Sequence, residues 1–321
     1  MRLASRVGTL GLCLLLPSGH GQAAGDSNPG HLRMAMVSMK SVYSDLESNE
    51  AAGAAIRQNL DRHLYFVDRL AAEGVEFIGF PECSINGYRY SDRMVWLKQD
   101  GPEVGVLARK AAEKNVWIGA GFAEQDAEGR KWEIQVVLGP DGAIAGWHRK
   151  NWLTKEKNYI EASEDHHVFE VKGAKMGILI CADGSDFRNL KATADAGARI
   201  FYAPHANTTG GTIAKWYAFR AKWGGPWNAT PSLVTCEKEK VEMPSGGWIA
   251  GLKVFAALCN HAGLYNPEYQ PPPGTDANTG WASGAWFIGP DGATLAQMPS
   301  STDRNDSKEF VLIHNVPLAA P

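Results

Sequence analysis

A thiol, a carboxylate and an ammonium stand at the ends of three apolar runs in this chain of 321 residues. Val75 to Phe80 leads into Pro81-Glu82, Ala143 to Trp147 into His148-Arg149-Lys150, and Met176 to Ile180 into Cys181-Ala182-Asp183-Gly184. A free thiol ionises near pH 8.5, so only a few per cent is thiolate at neutrality. A carboxylate beside it takes the proton as sulfur attacks, then returns it to a leaving amine. An ammonium nearby favours the thiolate and, with a backbone N–H such as that of Ala182, stabilises the oxyanion of a tetrahedral intermediate. Cys181, Glu82 and Lys150 could therefore carry acyl transfer through a thioester without a histidine.

Each residue has a plainer reading when taken singly. Cys181 alone would be a small apolar residue at a strand end. Glu82 and Lys150 alone would be solvated charges, and Glu156 sits in the charged run Lys155-Glu156-Lys157. The case rests on the set. Cys83 neighbours Glu82, but adjacent side chains of an extended segment point to opposite sides, so it reads as structural. His166-His167 has no ligand partner at metal spacing and reads as a surface loop. His205, after Pro204, is a candidate for lining a substrate pocket, with a structural hydrogen bond as the alternative. Asn207 and Arg188 are further pocket candidates, the arginine able to pair with a substrate carboxylate. A Cys181–His205 pair of papain type lacks that family's local cysteine signature.

Alternating elements must bring these residues to one rim. Leu32 to Val37 is a short strand. Asn49 to Gly74 predicts an amphipathic helix, with Ile56, Leu60, Leu64, Val67 and Leu70 at three- and four-residue spacing and Gly74 as its stop. Val75 to Phe80 is the next strand. Pro102 opens a second helix to about Lys114, before the strand Val116 to Phe122. Ile134 to Leu138 and Ala143 to Trp147 flank the turn Gly139-Pro140-Asp141-Gly142. Met176 to Cys181, Ile200 to Ala203, Lys253 to Cys259, Ala285 to Ile288 and Phe310 to Ile313 complete the strands. The string GPDGA recurs at Gly139 and Gly289, hinting at two similar halves. Asn207 to Gly247 reads as an irregular excursion near the site. The pattern predicts an α/β protein with mixed sheets, in which loops beyond strand ends form the cleft.

The motifs resemble those of the nitrilase, or carbon–nitrogen hydrolase, superfamily. Gly79-Phe80-Pro81-Glu82 to Gly87-Tyr88 resembles its "PE…GY" motif, His148-Arg149-Lys150 its "YRK", and Gly177 to Asp183 its "G…IC-x-D". Gly280 to Ala296 resembles its closing "G-x-S…P-x-G" strand pair, and the order holds from Leu32 to Val316. The resemblance implies an α-β-β-α sandwich in a single domain, with Glu82 as base, Lys150 as transition-state stabiliser and Cys181 as nucleophile. It places a second active-site glutamate at Glu156, and often a homodimer or higher homo-oligomer. It implies no metal or organic cofactor. Three departures bear on substrate: Phe187-Arg188-Asn189 stands in place of Phe-Pro-Glu, His148 in place of Tyr, and "RA-x-EN" is hard to place around Arg220 to Gly225. Ala182-Asp183 after the cysteine leans toward a small amide or N-carbamoyl substrate. A nitrile hydrolase, an acyltransferase or an inactive binding protein on the same scaffold are the alternatives.

Composition narrows the setting. Hydrophobic residues make up 44% and charged residues 21%, with a formal net charge of −3 and no dense basic cluster, so nucleic acid is set aside. Arg2 and Arg6, the apolar run Leu10 to Leu16 and the small residues Gly21 to Gly25 predict a signal peptide over residues 1–25. Residues 26–321 then form the hydrolase-like domain, secreted or periplasmic. Cys13 lacks the small residues that precede a lipid-anchored cysteine, so no membrane anchor is expected. Cys236 and Cys259 lie away from the proposed chemistry and are the pair to test for a disulfide.

Overall fold

The computed structural model describes residues 30–208, 213–225, 233–236, 239–242, 246–263, 281–298 and 308–318; the expected signal peptide lies outside them. Two six-stranded sheets face one another. The first is ordered β14-β1-β2-β3-β4-β5, from β1 (His31–Ser38), β2 (Phe77–Gly79), β3 (Trp117–Gln125), β4 (Lys131–Leu138), β5 (Ile144–Arg149) and β14 (Phe310–Pro317). The second runs β13-β12-β11-β8-β7-β6, from β6 (Val168–Val171), β7 (Ala174–Ile178), β8 (Ile200–His205), β11 (Phe255–Asn260), β12 (Ala285–Ile288) and β13 (Thr294–Gln297). β9 (Leu233–Cys236) and β10 (Glu239–Glu242) form a separate hairpin. Both sheets are mixed: β2 pairs in parallel with β1 and β3, and β8 with β7 and β11, while the outer strands are antiparallel.

The period of two along β1 separates the layers. Met34 and Met36 enter the core between the sheets, where they meet Met176, Ile178, Tyr202 and Leu258. Ala35 and Val37 face the opposite side, toward α1 (Asn49–Ala72) and α2 (Pro102–Lys114). There Ile56, Leu60, Val67 and Leu70 pack as the three- and four-residue spacing requires. Ser48 caps α1 by accepting from Ala51 N at 3.1 Å. Pro102 opens α2, and Asn115 closes it in the left-handed conformation. α3 (Phe187–Asp195), α4 (Ile213–Phe219) and α5 (Gly247–Leu252) cover the second sheet. The result is an α-β-β-α sandwich in one domain. Each large apolar side chain buried here contributes about 1.5–3 kcal/mol, so core packing holds the fold.

Several elements differ from the sequence reading. β2 is shorter than the apolar run that contains it, and β6 was not anticipated. The excursion from Asn207 to Gly247 is more ordered than expected, since it includes α4, a 3₁₀ turn at Ala221–Trp223 and the β9–β10 hairpin. Cys259, one of the pair named for a disulfide test, is a free thiol buried in β11; the Cys236 side chain lies outside the described residues. The two GPDGA strings close matching turns, with Gly142 N donating to Gly139 O at 2.9 Å and Gly292 N to Gly289 O at 2.8 Å.

One side chain ties the sheets together beneath the strand ends. Tyr202 of β8 crosses the interface, donates to Phe80 O, and lies 3.1 Å from Gly119 O. Gln135 Nε2 donates to its hydroxyl at 2.7 Å. The crossing needs bare backbone opposite: a Cβ on Gly119 would lie 2.5 Å from the tyrosine ring, and one on Gly79 2.7 Å.

Candidate active site

Glu82 follows the central strand β2, and its loop is fixed from both sides. Phe80 N donates to Gly119 O at 2.9 Å, and His261 Nε2–H donates to Glu82 O at 2.6 Å. Lys150 ends the β5 segment; its N–H donates to Glu133 O on β4 at 2.9 Å. These restraints aim both side chains into one buried cluster, where Lys150 Nζ donates to Glu82 Oε1 at 2.5 Å. Glu82 is fully buried and Lys150 is 1% exposed.

Cys181 reaches this cluster from the second sheet. It follows β7 and opens a 3₁₀ turn, Cys181–Ser185, with φ of +41°, a conformation that L residues avoid. Neighbours hold it there. Arg220 Nη2 donates to Cys181 O at 2.5 Å, and Trp223 Nε1 to Gly184 O at 2.9 Å. Asp183 accepts from Ile180 N at 2.9 Å, from Asn151 N at 3.0 Å, from Trp152 N at 2.7 Å and from His148 Nε2 at 3.0 Å. One buried carboxylate thus ties the cysteine turn to the loop that carries Lys150. Cys181 is partly exposed, and it lies close enough for a charge on its sulfur to act on Glu82 and on Arg220.

The lysine is surrounded by carboxylates. It forms an ion pair with Glu156 and lies 3.3 and 3.4 Å from the oxygens of Glu133. Glu156 is buried, and accepts from Thr154 Oγ1 at 2.7 Å and Tyr88 O–H at 3.1 Å. Glu133 is 1% exposed and accepts from Tyr90 O–H at 3.0 Å. Oxygens of Glu82, Glu133 and Glu156 lie within 4.8 Å of one another, spacing that would suit a hard cation, and the Lys150 ammonium stands among them. Burial, then the thiolate charge of Cys181, pushes Glu82 up to about 8 against the pull of Lys150. Burial and the charge of Glu82 hold Glu133 well above the usual carboxylate range. Glu156 goes the other way. Burial raises it, but the Lys150 charge and the hydrogen bonds it accepts hold it below its ordinary value. Lys150 is held high by Glu133 and Glu82 despite its burial.

The structure gathers Glu82, Lys150, Cys181 and Glu156 and sends other sequence candidates elsewhere. Ala182 is the second residue of the cysteine turn, where a backbone N–H has no partner within the helix. Arg188 sits on the first turn of α3, paired with Asp186 at 2.5 Å with its side chain 54% exposed. His205 has the structural hydrogen bonds that were the alternative to lining a pocket. It is fully buried, donates from Nδ1 to Ala203 O at 2.9 Å and accepts from Arg220 Nε at 2.8 Å. Asn207 lies beyond β8, its backbone paired with the Asn260 amide at 2.9 Å in both directions. Cys83 is buried against Tyr90, and burial raises its thiol well above the ordinary value. His166 and His167 flank the surface: His166 Nδ1 lies 3.1 Å from Thr193 Oγ1, and the His167 ring is 4.1 Å from that of Trp147.

Two residues escaped the sequence reading. Glu133 had a signal, because Glu133, Gln135 and Val137 recur at period two on a wholly buried face of β4. Arg220 stood at the edge of a motif that could not be placed.

A family model described as carbon–nitrogen hydrolase matches residues 34–320, and the chain belongs to that family. Among curated relatives it is 27% identical over 274 residues to a cyanide hydratase of Gibberella baccata, covering 74% of this chain and 73% of the relative. It is 26% identical over 138 residues to the omega-amidase NIT2 of Xenopus tropicalis, covering 39% and 50%. It is 29% identical over 138 residues to the glutamine-dependent NAD(+) synthetase of Acinetobacter baylyi, covering 40% and 24%. The chain spans about half the length, or less, of the synthetase and the omega-amidase. The fold is shared with Nit3 of Saccharomyces cerevisiae, a member of branch 10 of the nitrilase superfamily, at TM-score 0.65 and 17% identity over 90% of each chain. It is shared with a variant of the amidase from Nesterenkonia sp. AN1 at TM-score 0.65 and 16% identity, over 90% of this chain and 92% of that one.

Proposed function

We propose that the protein is an amidase-like hydrolase that cuts the carbon–nitrogen bond of a small amide or N-carbamoyl compound through a Cys181 thioester. The observation that carries this reading is the buried Lys150–Glu82 contact, with Cys181 close enough for a charge on its sulfur to act on Glu82. Glu82 Oε2 is buried and accepts no hydrogen bond from a nitrogen or hydroxyl, which leaves it open to a thiol proton. As sulfur bonds to the substrate carbon, that proton passes to Glu82 and the carbonyl electrons move onto oxygen. Lys150 and the Ala182 N–H stabilise the oxyanion. Collapse breaks the carbon–nitrogen bond, and Glu82 returns the proton to the leaving nitrogen. Water then attacks the thioester, giving its proton to Glu82; carbon–sulfur cleavage frees the acid and the thiol is reprotonated. The Nesterenkonia variant holds the acetamide moiety of fluoroacetamide on its active-site cysteine, which supports the covalent step.

Ammonia release from a panel of amides and N-carbamoyl compounds, with intact mass after a quench, tests the reading. An acyl adduct lost in Cys181→Ala is expected, and a variant hydrolysing at the wild-type rate sinks it. The cyanide hydratase relative favours nitriles as the second reading, so nitriles belong in the panel. Residues 1–25 support export, and amino-terminal sequencing of the mature protein checks whether they are removed.

A further inference from the structure

Three carboxylates surround one ammonium here, and all four side chains are at most 1% exposed. With every carboxylate ionised, the cavity would hold an uncompensated double negative charge before any thiolate forms. A buried site of this kind binds protons instead. Contact geometry indicates where. Glu156 has the Lys150 ammonium, Thr154 and Tyr88 as partners, and so remains the anion that cancels the lysine. Glu82 has the lysine at 2.5 Å, whereas Glu133 has it no nearer than 3.3 Å. Glu133 is therefore the carboxylate with the weakest hold on the ammonium, its other partner being the Tyr90 hydroxyl at 3.0 Å, and its oxygens lie within 4.8 Å of those of Glu82.

We propose that Glu133 is a positioning residue that keeps a proton and donates it as a hydrogen bond to Glu82, favouring the ionised form of that carboxylate and aiming it at the Cys181 thiol. This rests on the reading of Glu82 as the base. With Glu133 neutral, the active form of the site contains Lys150⁺, Glu156⁻ and Glu82⁻. Transfer of the thiol proton to Glu82 then leaves the local anion count unchanged when sulfur bonds to carbon. Such a hydrogen bond, from Glu133 as donor, lowers the proton affinity of Glu82 and raises that of Glu133. The other groups facing the pair are Lys150 from β5, Glu156 from the turn Lys155–Asn158, Cys83, Tyr88 and Tyr90 from the loop after β2, and Cys181 and Arg220 from the second sheet.

Two variants separate a neutral donor from an anion. Glu133→Gln keeps a donor and cannot ionise; Glu133→Leu removes the donor. The readout is the rate of Cys181 alkylation by iodoacetamide across pH 5–10, alongside kcat and KM. The glutamine variant is expected to keep the acid limb where the wild type has it, with kcat lowered about threefold. The leucine variant should move that limb up by about one pH unit, the size of a lost hydrogen bond to a charged group, and lower kcat more than KM rises. A glutamine variant as impaired as the leucine one, or a leucine variant with an unmoved limb, overturns the proposal. Circular dichroism confirms folding of both, and the glutamine comparison alone still decides if leucine is not tolerated. Alkylation needs no substrate, so failure to find amidase activity in the wild type would count against the proposed reaction and leave this result readable.

Discussion

Arg220 donates from Nη2 to the carbonyl of Cys181 at 2.5 Å and from Nε to His205 at 2.8 Å. A fully buried guanidinium thus braces the strained backbone of the nucleophile candidate from behind. Burial lowers Arg220 to about 10, and it stays charged at neutral pH.

Replacing Arg220 by Met is expected to leave the Cys181 carbonyl and His205 Nε2 unpartnered. Each such buried group costs about 1–3 kcal/mol. Thermal unfolding should show the lower stability, and kcat should fall at least tenfold as the turn relaxes. A variant as active as wild type would show that the brace is dispensable.

Asp183→Asn should act through both arms of the site. A carboxamide has one accepting oxygen and cannot satisfy the four donors that converge on the carboxylate. The expected outcome is a kcat loss of about tenfold or more with a smaller change in KM, measured by steady-state kinetics.

Among Cys83, Cys181 and Cys259, alkylation of the native protein should fall on Cys181. Cys83 and Cys259 are fully buried and their thiols are raised well above the ordinary value. Peptide mapping after brief iodoacetamide treatment reads this directly. Equal labelling at Cys83 would contradict the packing around it.

Activity and stability should respond to pH in opposite directions. Glu82 acts as a base only when ionised, so kcat/KM should rise as pH passes through about 8. The same group has a folded-state pKa raised from 4.5 to about 8, so its contribution to stability is full at low pH and is lost as pH rises through that window. His63 and His261 are lowered by burial from 6.5 to about 4, so their contributions are present above 6.5 and lost as pH falls toward 4. Melting temperature should therefore peak at a mildly acidic pH, below the pH of full activity. Glu82→Gln should flatten the alkaline decline while abolishing turnover.

The residues proposed to carry the chemistry were legible because the apolar strands that deliver them stop at them. Glu82, Lys150 and Cys181 each follow such a run, and the helices were visible from caps and periodicity. Directions were harder to read. Arg188 was assigned to a substrate, yet Asp186 two residues earlier caps α3 and captures the guanidinium. His205 was placed at the right strand end, but its partner Arg220 comes from a segment whose motif had been altered. Glu133 stands one residue before the strand expected from Ile134 to Leu138. Only the second sheet, packed across it, makes that face buried.

Glu82 and Lys150 ride on one sheet and Cys181 on the other, with Tyr202 pinned across the seam below them. Turnover accordingly depends on the alignment of two separate slabs. A slip of an ångström between them would part the reacting atoms while leaving every strand hydrogen-bonded. Gentle heating or a Tyr202→Phe change should silence the protein before its circular dichroism alters, so that lost activity becomes the earliest gauge of shear.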